Sequence, residues 1–580
     1  MTTEQCIPTD IFIQDVQYTR THLSFCSPNV ESLKIWLDTT HQNAMGDRSK
    51  ALLQALIELS ELDIASCLRF TLVQTIHHSI DQVIEDLKVL IKEQSTSNAL
   101  HKENILDLIE SFRCYMAQLY LDIFIKLRED MIITSFSFRH YLTHKKQNTC
   151  SWYACYLALE QFSLLTCHQH MVYKEALDGQ WQRTHYLYWC ARQHQYQNIE
   201  IYDSKDCICS QNDIHSISIL YKQILLLHLL NTRQVRPSET YALYQCSAEW
   251  AHLLRVTPKK NPLSRYTIQP QTDRPPTALL EEQENTLSKN YFYINVNHLF
   301  KRIQLANSPT QSKLSIKEQL YLSSSLIFHI TNTLNQSPER RYTRYNFNSS
   351  IQICFGLKSV HHLLAQAIRK HQNQRIKQSK RSNTPQEIHH IIPKHTVSNA
   401  NLDFDENIYT CRILDVSVNG YRMLWKGHTP KHLRAGEFLA VQENSQSPWR
   451  CGLIRWIKQR SDKNLEFGVE IISQNITLCY IQKSNNMLEN NTYSPALLLK
   501  KDILDQAHFF LAIPTSDSLN DQKHVQLYLM NQIISVYLND TELENPSFIL
   551  CNFEVLTLED TDKFNYLTFE YDRLLKSVDL

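Results

Sequence analysis

Glycine is almost missing from this chain. Eight glycines in 580 residues fall far below the roughly 7% of an average protein, and the first half holds only Gly46 and Gly179. A phosphate-cradling glycine loop is therefore excluded there, and no Gly-x-Ser-x-Gly nucleophile motif occurs. Long apolar runs are missing as well. The densest, Ile224–Leu230, contains His228 and follows Lys222, well short of the ~18 residues of a spanning helix. Neither charge sign is in excess: Lys plus Arg and Asp plus Glu both number 59, which removes bulk attraction to nucleic acid or anionic membrane as an argument. Residues 1–17 carry Glu4, Asp10 and Asp15 among apolar neighbours and do not read as a secretory signal. With sixteen cysteines scattered along a large chain, the expectation is a reducing cytoplasm and free, mostly buried thiols.

What is present divides unevenly. Such a length exceeds one hydrophobic core, so several domains are expected. From Pro28 to about Arg255 the apolar spacing is helical. Between Ile64 and Lys92, Leu68, Leu72, Ile76, Ile80, Val83, Leu87 and Leu90 recur every three or four residues, as do Leu106, Ile109, Phe112, Met116, Leu119, Ile123 and Leu127 further on. Stripes this long need partner helices, which predicts an all-α array over 1–256 with a solenoid-like look but no fixed repeat. Residues 257–336 read as a proline-rich connector, a short strand at Tyr291–Val296 and a lead-in helix over Ser315–Leu334. Ser315 and Glu318 have the spacing of a capping box.

Six of the eight glycines lie between 356 and 468, where positive φ, tight turns and bulges are needed, and the apolar period there becomes two. Strands are expected at Phe347–Phe355, Ile408–Leu414, Tyr421–Trp425, Phe438–Gln442, Cys451–Ile457 and Leu465–Ile471, a small antiparallel barrel over 337–475. A basic insertion, 358–406, interrupts it, starting as a helix and continuing as a loop. From Lys358 to Lys394, Lys358, Arg369, Lys370, Arg375, Lys377, Lys380, Arg381 and Lys394 stand against a single acid, Glu387. Residues 476–580 alternate again, at Leu497–Leu499, Phe509–Ile513, Val525–Met530, Ile533–Leu538 and Phe564–Phe569, predicting a second β domain. The expected class is multidomain α+β.

Two short motifs carry chemistry. Arg340 and Arg344 stand four apart at the threshold of the first barrel strand, with Arg341 between them. A guanidinium is a permanently charged fork that matches phosphate oxygens and the guanine O6/N7 edge, and it stacks on bases. Taken alone, the pair reads first as a solvated charge cluster after a helix. Asp415 and Ser417 share a strand face, and Gly420 permits the turn that follows. The carboxylate can accept from guanine N1–H and N2–H and the hydroxyl can serve phosphate or ribose, although an ordinary turn uses the same residues. His361, His362, His389, His390 and His395 in the insertion, the Cys207-x-Cys209 pair, and Cys167 with His168 and His170 lack convergent metal-ligand spacing, so no metal is expected.

Together, Arg340-x-x-x-Arg344 and Asp415-x-Ser417-x-x-Gly420 resemble the pattern of the PilZ domain, a bacterial cyclic di-GMP receptor. The similarity continues through Arg434–Val441, Gly452–Trp456 and Leu465–Glu470 and covers about 337–475. One departure is the length of the connection, since 71 residues separate Arg344 from Asp415. The resemblance implies that Arg340 and Arg344 hold guanine and phosphate, Asp415, Ser417 and Gly420 form the strand-side surface, and Arg341 assists. It also implies a cytoplasmic, non-enzymatic effector whose helical N-terminal domain meets a protein partner in motility, type IV pilus, attachment or exopolysaccharide control. Two other readings stay open: a nucleotide-independent scaffold, and RNA binding through the basic insertion.

Overall fold

The computed structural model describes residues 18–93, 99–133, 138–200, 216–279, 291–306, 314–335, 345–346, 349–382, 408–417, 420–444, 447–460, 462–483, 493–503, 506–515, 523–545 and 547–575. The chain divides into two compact units, one of residues 1–232 with 237–321 and one of 233–236 with 322–580.

The first unit is built on helices α1 (Val30–His41), α2 (Met45–Glu61), α3 (Ser66–Glu93), α4 (Ala99–Ile133), α5 (Phe138–Met171), α6 (Gln180–Gln193), α7 (Ile217–Leu229) and α8 (Pro237–Trp250). Helix α4 is buried on all sides over its middle turns, where Phe112, Met116, Leu119, Tyr120, Ile123 and Phe124 are covered together with Arg113, Gln118 and Asp122. A helix of that kind must be surrounded, and α2, α3 and α5 pack on it. The stripe expected on α3 is buried at Leu72, Ile76, Ile80, Val83 and Leu87, while Leu68 at its start is exposed. Helix α5 in turn carries α6, α7 and α8, and Tyr188 of α6 stacks on Tyr221 of α7 with ring centroids 4.0 Å apart.

The proline-rich stretch is more than a connector. Strands β1 (Arg255–Thr257), β2 (Tyr266–Ile268), β3 (Thr277–Ala278) and β4 (Phe292–Asn295) form a small sheet in the order β1-β4-β2-β3. Then come α9 (Asn297–Ala306) and α10 (Ile316–Tyr321). The single helix expected over 315–334 is two: α10 stops at Tyr321 and α11 (Ser324–Asn335) starts anew within the second unit. The expected capping box is present. Ser315 N–H donates to Glu318 Oε2 at 2.8 Å and Glu318 N–H to Ser315 Oγ at 3.1 Å. Glu318 also accepts from Trp250 Nε1 at 2.9 Å and Arg302 Nε at 3.1 Å, so this buried acid ties α8, α9 and α10 together.

In the second unit, strands β5 (Tyr345–Asn346), β6 (Ser350–Phe355), β7 (Tyr409–Ser417), β8 (Gly420–Trp425), β9 (Phe438–Gln442), β10 (Arg450–Gln459) and β11 (Leu465–Ser473) form one antiparallel sheet. Its order is β5-β7-β6-β9-β10-β11-β8, and a further pairing of β8 with β7 closes six of the strands into a ring. Helix α12 (Leu357–Ser382) is inserted after β6, launched by Gly356, whose φ of +85° suits glycine. A second closed barrel follows, of β12 (Asn475–Lys483), β13 (Ser494–Ile503), β14 (Gln506–Pro514), β15 (His524–Leu529), β16 (Gln532–Glu544) and β17 (Phe548–Val555) in the order β12-β13-β14-β17-β16-β15. The fold is thus α+β, with helices first and two β-barrels after.

One expectation fails here. Phe564–Phe569 is not a strand but part of α13 (Leu558–Leu575). Phe564, Leu567 and Tyr571, three and four apart, are buried, and Tyr571 Oη accepts from the Leu478 N–H at 3.0 Å. The start of the basic insertion is the expected helix, and it is packed into the core. Leu357, Val360, Leu364, Ala365 and Ile368 of α12 belong to one buried cluster with Cys354, Phe438, Ala440 and Leu453 of the first barrel and Leu478, Leu498, Leu511 and Leu527 of the second. His361 lies in this seam, its ring T-shaped to Tyr480 at 4.7 Å and its Nε2 3.1 Å from the Cys479 carbonyl oxygen. Burial pushes its pKa down to about 4 against the opposing effect of that hydrogen bond, and the charges of His362 and Arg369 push the same way as burial.

Candidate functional site

Of the residues singled out by motif, Arg340, Arg341 and Arg344 lie outside the described residues. Asp415, Ser417 and Gly420 are described and fall at the hairpin end of β7 and β8. A register shift between Ile413 and Asp415 marks a bulge in β7, which re-aims the strand where the acid sits. Asp415 is 6% exposed. It pairs in register with Asn346 of β5 on one side and Arg422 of β8 on the other. Asn346 follows Arg344 by two residues in the sequence. The β5–β7 pairing joins strands that lie on either side of the inserted α12 in the chain.

Ser417 ends β7 opposite Gly420, and its hydroxyl donates to the Gly420 carbonyl at 3.3 Å. The reason for glycine at 420 differs from the one expected. A Cβ there would lie 2.3 Å from the Val469 carbonyl oxygen of β11, so the residue is required by the close approach of two strands.

Beside these stands a network absent from the motif reading. Arg422 donates from Nε and Nη2 to Glu466 Oε2 at 3.1 and 2.7 Å, and from Nη1 to Asp415 Oδ2 at 3.3 Å. Arg460 donates from Nη1 to Glu466 Oε1 at 2.9 Å. Two carboxylates and two guanidiniums thus alternate in a line. Hydrogen bonding to Glu466, ahead of the opposing effect of burial, raises the Arg422 pKa above its already high value. The signal lay in strand alternation, since Arg422 follows Gly420 by two, but Glu466 joins only through the β8–β11 register, in which Arg422 faces Gly468. A second cluster lies on the same strand. Tyr421 Oη donates to Glu443 Oε1 at 2.7 Å and Arg450 also pairs with Glu443; the Tyr421 hydroxyl leads in holding the Glu443 pKa below its usual range.

The other candidates resolve into packing. His168 Nε2 lies 3.0 Å from the Leu106 carbonyl oxygen, His170 Nδ1 lies 2.6 Å from Thr232 Oγ1, and Cys167 is buried. Burial lowers the His168 pKa to about 4. Cys207, Cys209, His389, His390 and His395 lie outside the described residues. Among the described residues, no three His, Cys, Asp or Glu side chains converge as a metal site, and no helix is long and apolar enough to cross a membrane.

Two family models match the chain: the N-terminal domain of the cyclic-di-GMP receptor FimW over residues 31–260, and the middle PilZ domain of the same receptor over 266–406 and 366–477. The chain belongs to the FimW family. The cyclic-di-GMP receptor FimW of Pseudomonas aeruginosa is 21% identical over 523 residues, which is 83% of this chain and 83% of that one. Within the FimW family frame, the middle match contains both motifs, the ring of β6 to β11 and the inserted α12. The resemblance to PilZ domains drawn from the motifs therefore holds.

Proposed function

We propose that this protein is a cyclic di-GMP receptor acting by binding, without catalysis, in the cytoplasm. Arg340 and Arg344 grip phosphate and guanine from one side, with Arg341 in support. Asp415 accepts from a guanine edge, and Ser417 and Gly420 complete the strand-side surface. The chemistry is complementary: the ligand carries two phosphate charges and two guanine edges, and guanidinium forks match both. The observation that supports the reading is the pairing with Asp415 of Asn346, two residues after Arg344 in the sequence. FimW-family membership supports the same ligand.

Signal output follows from linkage. A ligand that binds two segments at once favours whichever arrangement keeps them together, and shifts populations by its affinity difference between arrangements. We assign the helical domain, 1–256, to contact with a protein partner, and pilus or motility control to the output. Equilibrium dialysis of labelled cyclic di-GMP against the full chain and its Asp415→Ala variant tests the assignment. Retention by the wild type and weak retention by the variant are expected. A folded wild type that retains no ligand at millimolar concentration refutes it.

A further inference from the structure

The two barrels of the second unit are wired alike. Taken in chain order, β6 to β11 in one and β12 to β17 in the other, the first strand lies between the second and the fourth, the fifth between the fourth and the sixth, and the third between the sixth and the second. All of these pairings are antiparallel in both barrels. One topology is therefore used twice, although the family match ends at residue 477, where the second barrel has only begun. The hairpins between the second and third strands also agree, since Ser417 pairs with Gly420 and Ile503 with Gln506, each across two intervening residues. Counted back from these ends, Asp415, paired with Arg422, corresponds to Lys501, paired with His508. Where the first barrel has an acid, a hydroxyl and a glycine, the second has Lys501, Ile503 and Gln506. An ammonium only donates, so it cannot accept from guanine N1–H and N2–H.

The lead-in differs more deeply. In the first barrel, Tyr345 and Asn346 of β5 pair with Val416 and Asp415 beside the hairpin end, directly after Arg344 in the sequence. In the second, β12 opens with Asn475 opposite Lys500, and only Gln474 separates it from β11. The place of a lead-in segment is thus taken by the end of β11, where Ser473 pairs with Cys451 of β10 and its hydroxyl lies 2.6 Å from the Lys500 carbonyl oxygen. From Leu465 to Gln474 there is no lysine or arginine, and a strand committed to the first barrel is not free to close over a ligand of the second. We propose that the second barrel is a copy of the PilZ-type barrel whose nucleotide site is closed, so that cyclic di-GMP is taken by the first barrel alone and the second braces it. This rests on the receptor reading above. The bracing runs through the shared cluster around α12, through Asn545 Nδ2, which donates to the Gly436 carbonyl at 2.9 Å, and through the Phe548 ring, edge-on to Phe438 at 5.3 Å.

Calorimetric titration of cyclic di-GMP into the full chain separates the barrels, using the wild type, a first-barrel variant with Arg340→Ala and Arg344→Ala, and a second-barrel variant with Lys501→Ala and His508→Ala, both exposed positions. The first-barrel variant is expected to bind about a hundredfold more weakly or worse, for two lost charge-assisted contacts. The second-barrel variant is expected to keep the wild-type stoichiometry and an affinity within about twofold, as for surface changes away from a site. Wild-type affinity at reduced stoichiometry in the first-barrel variant, or a loss of stoichiometry in the second-barrel variant, overturns the proposal. Should the first-barrel variant not fold, photo-crosslinking of an azide-bearing cyclic di-GMP analogue to the wild type decides: label that unlabelled ligand competes away is expected on peptides of 337–473 alone, and such label on peptides of 475–555 overturns the proposal. A wild type that neither binds nor is labelled overturns the receptor reading and this proposal with it, whereas binding that survives in the first-barrel variant and is lost with Lys501 and His508 overturns this proposal alone.

Discussion

Replacing His361 by Gln should remove a specific part of the acid sensitivity of the second unit. His361 is buried in the seam between the two barrels and α12, and its pKa there is about 4, against about 6.5 in an unfolded chain. Between these values the unfolded state binds a proton that the folded state refuses, so stability falls as pH drops below 6.5. At pH 5 the deficit is about 2 kcal/mol, and at pH 7.5 it is close to zero, at about 1.4 kcal/mol for each pH unit traversed. Glutamine keeps a donor for the Cys479 carbonyl and does not titrate. It loses the edge-on contact with Tyr480, a pH-independent cost of about 1 kcal/mol. The assay is hydrogen exchange of the β12 and β13 amides, corrected for intrinsic rate, at pH 7.5 and 5. The wild type is expected to lose about thirtyfold more protection than His361→Gln across that interval. Equal losses in the two proteins would refute the buried, neutral assignment. Because His168 and His185, also with pKa values near 4, are common to both proteins, the comparison isolates one residue.

Three further outcomes follow. Glu318→Ala removes the acceptor of Arg302, Trp250 and the Ser315 N–H and should destabilise the first unit by about 3 kcal/mol in urea unfolding, as expected for one partner of a buried ion pair. Gly420→Ala forces a methyl group against the Val469 carbonyl oxygen; a loss of about 1–3 kcal/mol, read as a lowered melting temperature, is expected even without ligand, and an unchanged melt would contradict the close-approach account. Excising 384–406 with a short linker, while keeping α12, should leave cyclic di-GMP affinity within about threefold, because neither binding motif lies in that stretch and the length of a connection is a weak thermodynamic lever. RNA retention that falls steeply with salt and vanishes on that excision would instead favour nucleic-acid contact through the insertion.

The barrels and the helical array were legible to different depths. Alternation with glycine at 452 and 468 marked β10 and β11, and both glycines are required by close approach: a Cβ at Gly452 would lie 2.6 Å from the Glu470 carbonyl oxygen and one at Gly468 would strike the Trp456 ring. The same alternation misled at Phe564–Phe569. There Tyr566 and Phe569, 63% and 67% exposed, are interleaved with the buried Phe564, Leu567 and Tyr571 and disguise a helical stripe as a strand. Strand β12 follows β11 after only Gln474, with too little punctuation to be seen. Asp415, Ser417 and Gly420 could be found because they are local in sequence. The line Asp415–Arg422–Glu466–Arg460 could not, since it depends on β7–β8–β11 register, a non-local property. The burial of α12 was hidden by its charges, because Val360, Leu364 and Ile368 are a narrow stripe among basic and polar residues.

The central claim is that the two motifs form one cyclic di-GMP site, and isothermal titration calorimetry of the ligand into the wild type and into Arg344→Ala addresses it most directly. The account expects saturable binding by the wild type and a loss of at least about tenfold in the variant, the size of a missing charge-assisted contact, with the melting temperature of the free protein unchanged. A folded wild type with no measurable heat at high ligand concentration, or a variant that binds as tightly as the wild type, would contradict it.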